Sequence, residues 1–236
     1  MSIRTRVLEA LAEVHDPELD EPITSLRFVT SCDVTPEGDV EVLLRLPTPQ
    51  CAPNFAYLMA ADARDAVRRL PEVRRVAVRI EDHYTGEEIN AAVARGEGFA
   101  AAFPGETDDD DLASLRTLFQ RKALVARQAR LCETLLADGA TLQQVATRRL
   151  AELPDVPDAR RCLELRRQLG IRRDDDSPAL VLPDGEPLAA HELQRWLRTA
   201  RLVRTSLDVN GGICRSLLKT RHRLAPDAQE VEDDRR

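Results

Sequence analysis

Residues 40–80, "VEVLLRLPTPQCAPNFAYLMAADARDAVRRLPEVRRVAVRI", decide how the first half of the chain folds. "VEVLLRL" is an apolar run of strand length, and "VRRVAVRI" alternates apolar and polar residues as a strand with one buried face does. Between them "NFAYLMAADARDAVRRL" has the spacing of an amphipathic helix and stops at Pro71. Strand, helix and strand make a βαβ unit, so the two strands should lie parallel with their C-terminal ends at one edge of a sheet.

The flanking residues extend this unit. "LRFVTSCDV" reads as a strand and "PEGD" as a turn, which together with "VEVLLRL" give an antiparallel hairpin. Before it, Val7, Leu8, Leu11 and Val14 recur at helical spacing, and the helix should stop at "HDPELDEP". Chain direction alone then brings three loops to one edge: "HDPELDEPITS", "PTPQCAP" and "EDHYTGEE". They gather Cys51 with His15, Asp16, Glu18, Thr48, Asp82 and His83. Open α/β sheets bind ligands outside the carboxyl ends of their strands. Cys51 also lies just ahead of a helix whose Pro53 suits the first turn. The helix dipole there favours negative charge on the sulfur, the nucleophilic and metal-binding form.

The expected fold is α/β (α+β): a small helix–hairpin–helix–strand domain over residues 1–90, with a mainly helical C-terminal region. "AAVARGEGFAAAFPGETDDDD" reads as a connection, giving a linker over 91–111 whose Asp108–Asp111 would complement the start of the next helix. Leu112, Leu115, Leu118, Phe119, Val125, Leu131 and Leu135 line that helix, and Thr141 should cap a shorter one. "DARRCLELRRQLG" and "HELQRWLRTAR" are further helices, with a strand and turn at "PALVLPDGEPLAA". "LVRTSLDV" reads as a strand, "NGG" as a turn and "ICRSLLKTR" as a last helix. This region spans 112–224, and "APDAQEVEDDRR" is polar enough for a disordered tail over 225–236.

Composition narrows the function. The net charge of −7 is uneven, −8 over residues 1–106 and +1 thereafter, so neither half announces nucleic-acid binding. Arg195, Arg198, Arg201 and Arg204 recur around Trp196 as a solvated or protein-docking face. No run approaches the roughly 18 apolar residues of a membrane span. The start, "MSIRTRVLEALAEV", reads as an amphipathic helix and not as a signal peptide. Five widely spaced cysteines without a CxxC argue against a disulfide framework or a closed zinc site, so a reducing cytoplasm is expected. Cys32, Cys132 and Cys162 fall within strand or helix patterns and should be core. Cys214, in "NGGICRS", repeats the placement of Cys51 at a turn running into a helix, and a cluster site shared by Cys51 and Cys214 is open. His83, after a strand, is a candidate metal ligand with Cys51 and Asp16. No Cys–His pair is local in sequence and no oxyanion motif accompanies Cys51, so no enzymatic activity is expected.

"DPELDEPITSLRFV", a hairpin, "PTPQCAP", a helix and a third strand together resemble the metal–sulfur cluster biosynthesis family of SufT-like and PaaD-like proteins, over about residues 5–82. The resemblance implies assembly or delivery of iron or iron–sulfur clusters, held transiently. It makes Asp16 and Glu18 the acidic turn, Thr48 the threonine of the T-P-x-C signature and Cys51 the family cysteine. Family members often show Asp-Leu-Gly where this chain has Ser25-Leu26-Arg27. With "PNFAYLMA", "FQRKA" and "CRSLLKTR", the whole looks like longer members associated with bacterial multicomponent di-iron monooxygenases. The implied partners are a client metalloenzyme or iron–sulfur assembly proteins, with a homodimer left open and neither nucleic acid nor membrane expected. A metal-free adaptor is the alternative.

Overall fold

The computed structural model describes residues 1–107 and 112–224 of the 236-residue chain. The tail expected at 225–236 and the acidic run Asp108–Asp111 lie outside the described residues. The fold is mixed α/β with a helical C-terminal region. The chain divides into two compact units: Met1–Ala113 with the segment from Asn210, and Ser114–Val209.

In the first unit, helix α1 (Ile3–Ala12) precedes the hairpin of strands β1 (Val29–Val34) and β2 (Asp39–Arg45). Helix α2 (Pro53–Arg68) then crosses over to strand β3 (Arg75–Glu81). The sheet order is β1-β2-β3, antiparallel across the hairpin and parallel from β2 to β3, as the strand directions require. Period-two alternation buries Val40, Val42, Leu44, Val78 and Ile80 on one face, while Glu41, Ala77 and Arg79 on the other stay exposed. Helix α2 covers the buried face through small residues, Ala56, Ala60, Ala63 and Ala66, which let it approach closely. Both sheet edges are blunted by side chains. Arg4 donates to Cys32 O at 3.2 Å, and Asn90 bonds both the N–H and the C=O of Ile80, at 2.8 and 3.0 Å.

The reading of "AAVARGEGFAAAFPGETDDDD" as a connection is corrected. Residues Gly86–Arg95 form helix α3 and Phe99–Ala102 a single turn, α4. Ile89, Ala92, Val93 and Phe99 are buried there, and Tyr57 of α2 donates to Glu97 O at 2.8 Å. An alanine-rich helix needs few large residues to pack, so its apolar stripe was faint.

The second unit holds α5 (Ala113–Ala137), α6 (Leu142–Thr147) and α7 (Pro157–Gln168). Thr141 caps α6 in a reciprocal box with Gln144, as its sequence suggests. Cys132 and Cys162 are core residues here, as Cys32 is in the sheet. "PALVLPDGEPLAA" forms no strand among the described residues, only single bridges pairing Arg149 with Pro178 and Val181 with Pro187. Buried side chains hold it instead: Gln128 bonds both backbone groups of Val181, and Arg166 donates to Pro178 O and Ala179 O. Of the arginine stripe, Arg201 and Arg204 pair with Glu133 on α5.

The strand, turn and helix expected over 202–221 are likewise corrected: one helix, α8 (Leu193–Leu224), runs through them. Its residues up to Val209 belong to the second unit and those from Asn210 to the first. β-Branched content suggested a strand and Gly211-Gly212 a turn, yet both glycines stay helical at a cost of about 1 kcal/mol each. Gly211 earns its place by contact, since a Cβ there would stand 3.2 Å from Glu21 Oε1 and from the Arg215 guanidinium.

In the hairpin turn, Gly38 has φ +84°, and a Cβ added there would collide with Glu72 O. Gly38→Ala should therefore lower unfolding stability by about 2 kcal/mol or more, read as a reduced urea midpoint.

Candidate functional site

The first of the three loops is a closed turn built on Asp16. Its Oδ1 accepts the N–H of Glu18 at 2.8 Å and of Leu19 at 2.9 Å, Asp16 N donates to Glu21 O at 2.9 Å, and Ile23 N returns to Val14 O. Asp16 is buried, and that burial pushes its carboxyl up to about 6 against the pull of the two backbone bonds; Glu18 and Glu21 add smaller upward contributions.

The second loop turns at Thr48. Gln50 N donates to Thr48 Oγ1 at 3.2 Å, Cys51 N reaches Thr48 O at 3.4 Å, and Thr48 Oγ1 lies 3.5 Å from Cys51 Sγ. Cys51 is half-buried, and α2 starts two residues later at Pro53 with no side-chain cap. The first turn of that helix therefore keeps its partial positive charge, two residues beyond Cys51.

The third loop braces the second. Tyr84 N donates to Pro49 O at 3.1 Å, and His83 Nε2 lies 2.8 Å from Cys51 O. Thr85 N donates to His83 Nδ1 at 3.3 Å, which places the imidazole proton on Nε2. Both ring nitrogens thus have partners, and the ring holds the Cys51 backbone in place. His15 sits in a bridge with Pro22, its Nδ1 3.0 Å from Glu13 O.

Sequence reasoning missed the fourth contributor, the C-terminal part of α8. Asn210 donates to Glu18 Oε1 at 3.1 Å, and Arg215 pairs with Glu21 at 2.7 Å. Arg221 donates to Leu46 O, at the end of β2, and to both the backbone and carboxylate oxygens of Asp82, just after β3. The signal was present as helical spacing, since Asn210, Cys214, Leu218 and Arg221 share one face, but it was masked by the glycines. Cys214 is thus inside a helix and not at its start. Burial pushes its thiol up to about 11, with smaller upward contributions from the neighbouring Asp16, Cys51 and Glu18. Beside these loops a cleft of about 510 Å³ is lined by Arg45, Pro47, Thr48, Asp82, Leu217 and Arg221.

The sheet edge therefore brings together Asp16, Glu18, Thr48, Cys51, His83 and Cys214. Among the described residues, no group of three or more His, Cys, Asp and Glu side chains is arranged to hold a metal ion. Nor is any helix among them long and apolar enough to cross a membrane.

Residues 4–80 match the family described as iron–sulfur cluster assembly protein. The chain is also similar to an uncharacterized protein of Methanocaldococcus jannaschii, 32% identical over 97 residues that make up 41% of this chain and all of that one. No solved structure matches the chain.

Two outcomes follow from this geometry. An unfolded aspartate ionises near 3.8 but Asp16 only at about 6, so the folded state keeps its proton longer. Stability should fall as pH rises from about 4 to about 6, by up to about 3 kcal/mol, and level off above. Asp16→Asn, which preserves the turn's acceptor, should flatten that slope in urea titrations across pH. Arg27 is exposed with φ +58°, at the position where the resembled family often carries glycine. Arg27→Gly should raise stability by about 1 kcal/mol in the same assay.

Proposed function

Because the chain belongs to the iron–sulfur cluster assembly protein family, we propose that it is a carrier that holds iron or an iron–sulfur cluster on Cys51 and passes it to a client metalloenzyme, a bacterial multicomponent di-iron monooxygenase. The observation that supports this reading most is the setting of Cys51: a half-buried thiol beyond the C-terminal end of β2, ahead of an uncapped helix start, on a loop braced by Thr48 and His83. Thiolate is the ligand that iron–sulfur clusters prefer. On binding, the S–H proton leaves to solvent and an S–Fe bond forms, with the positive end of α2 favouring the thiolate form of the ligand.

A small protein donor set suits release. Four cysteines would retain the cargo, whereas one or two leave positions for sulfide, small thiols or the client's own ligands. Asp16 and Glu18 shape the field around the sulfur, and the carrier needs no catalytic residue of its own. It would work in a reducing cytoplasm, where thiols stay free.

Anaerobic reconstitution with ferrous iron and sulfide tests this. The wild type should gain sulfur-to-iron charge-transfer absorption and lose it to the apo-client, while Cys51→Ser should bind at least about tenfold less, since losing even an outer-shell partner costs that much. Equal binding by both proteins, with client activation in the host surviving the mutation, would overturn the carrier reading and leave a metal-free adaptor.

A further inference from the structure

Cys214 lies far outside the residues that match the family, yet α8 brings it near enough to Cys51, Asp16 and Glu18 for their electrostatics to reach its thiol. Asn210, one turn earlier, is fixed on Glu18 of the acidic turn. Arg221, about two turns later on the same face, is fixed on Leu46 O and Asp82, where β2 and β3 end. At a rise of about 1.5 Å per residue, Cys214 stands about 6 Å along the helix from the first anchor and about 10 Å from the second. The "PTPQC" loop leaves the sheet at the second anchor, directly after Leu46. Leu218 is buried on the same face, and Arg215 clamps the adjoining turn to Glu21.

We propose that Cys51 and Cys214 form a two-thiol site for a thiophilic divalent cation, assembled when residues 210–221 lie across the loops at the C-terminal edge of the sheet. This deepens the carrier reading and rests on Cys51 being its cargo ligand. Asp16 Oδ1 is committed to two backbone N–H groups and Glu18 Oε1 to Asn210, so these carboxylates surround the site while the sulfurs bind. Two S–M bonds form as two thiol protons pass to the buffer. A four-coordinate ion then keeps two positions for sulfide, water or an incoming ligand. Because one sulfur comes from a helix held by hydrogen bonds and ion pairs, undocking that helix halves the thiolate set and loosens the cargo.

Anaerobic titration of the reduced, metal-free full chain with Co²⁺ reads the number of thiolates directly, through the intensity of thiolate-to-cobalt charge transfer. The wild type should show two per ion. Cys214→Ser and Cys51→Ser should each show half that intensity with affinity at least about tenfold lower. Arg215→Ala/Arg221→Ala should move the same way with all thiols retained. Dibromobimane, fluorescent only after bridging two thiols, should link Cys51 to Cys214 in the unmutated protein, as mapped by peptide mass. One thiolate per cobalt in the wild type, or no Cys51–Cys214 bridge, would overturn the proposal. In that event Cys51-dependent iron–sulfur loading would still uphold the carrier reading. Two thiolates per cobalt with no such loading would uphold the site and remove the carrier.

Discussion

Parallel pairing of β2 with β3, running in step from Asp39 opposite Arg75 to Arg45 opposite Glu81, sets the terms for everything at the site. A parallel pair ends its two strands side by side, and the crossover helix α2 must then begin at that same edge. The loop that starts the helix and the loop that leaves β3 are therefore neighbours. Their hydrogen bonds, Tyr84 to Pro49 and His83 to Cys51, are consequences of chain direction. So is the platform of carbonyls at Leu46 and Asp82 on which Arg221 rests.

How much of this was legible depends on where the information resides. The hairpin, α2 and β3 declare themselves because each buries one face, and burial imposes a period on the sequence. The convergence of Asp16, Thr48, Cys51 and His83 followed from those elements without any knowledge of side-chain contacts. Helix α3 was obscured because Ala92 and its neighbours pack by being small. The continuity of α8 was obscured because its local composition speaks against helix. Leu202 is 73% exposed and Val209 54%, so both ends of the stretch that looked like a strand face solvent, and only Leu207 is buried there. Long-range anchors such as Arg221 and Asn210 leave no local trace, and only the folded chain pairs them with residues 139 and 192 positions away.

Cysteine placement shows the same division. Cys32, Cys132 and Cys162 sit on apolar faces and are buried as their patterns require. Cys51 and Cys214 are both half-buried, but for different reasons: one lies in a turn before a helix, the other inside a helix that is itself laid on a polar surface. The acidic turn that receives this helix is basic-seeking by composition. Glu18 and Glu21 meet Asn210 and Arg215, while Asp16 turns inward to its own backbone. Carboxylates only two residues apart, Asp16 and Glu18, thus divide between holding their own turn and holding the helix laid on it.

The amide of Asn90 occupies both main-chain groups of Ile80, so an approaching strand finds no ladder to join at that point of β3. On the opposite margin Arg4 takes up the carbonyl of Cys32. The sheet is thereby closed to growth by β-augmentation at these positions, and recognition of another protein falls to loops and helix surfaces. Such recognition reads side-chain shape and charge, which substitutions on loops and helix faces can change while the backbone of the sheet stays fixed.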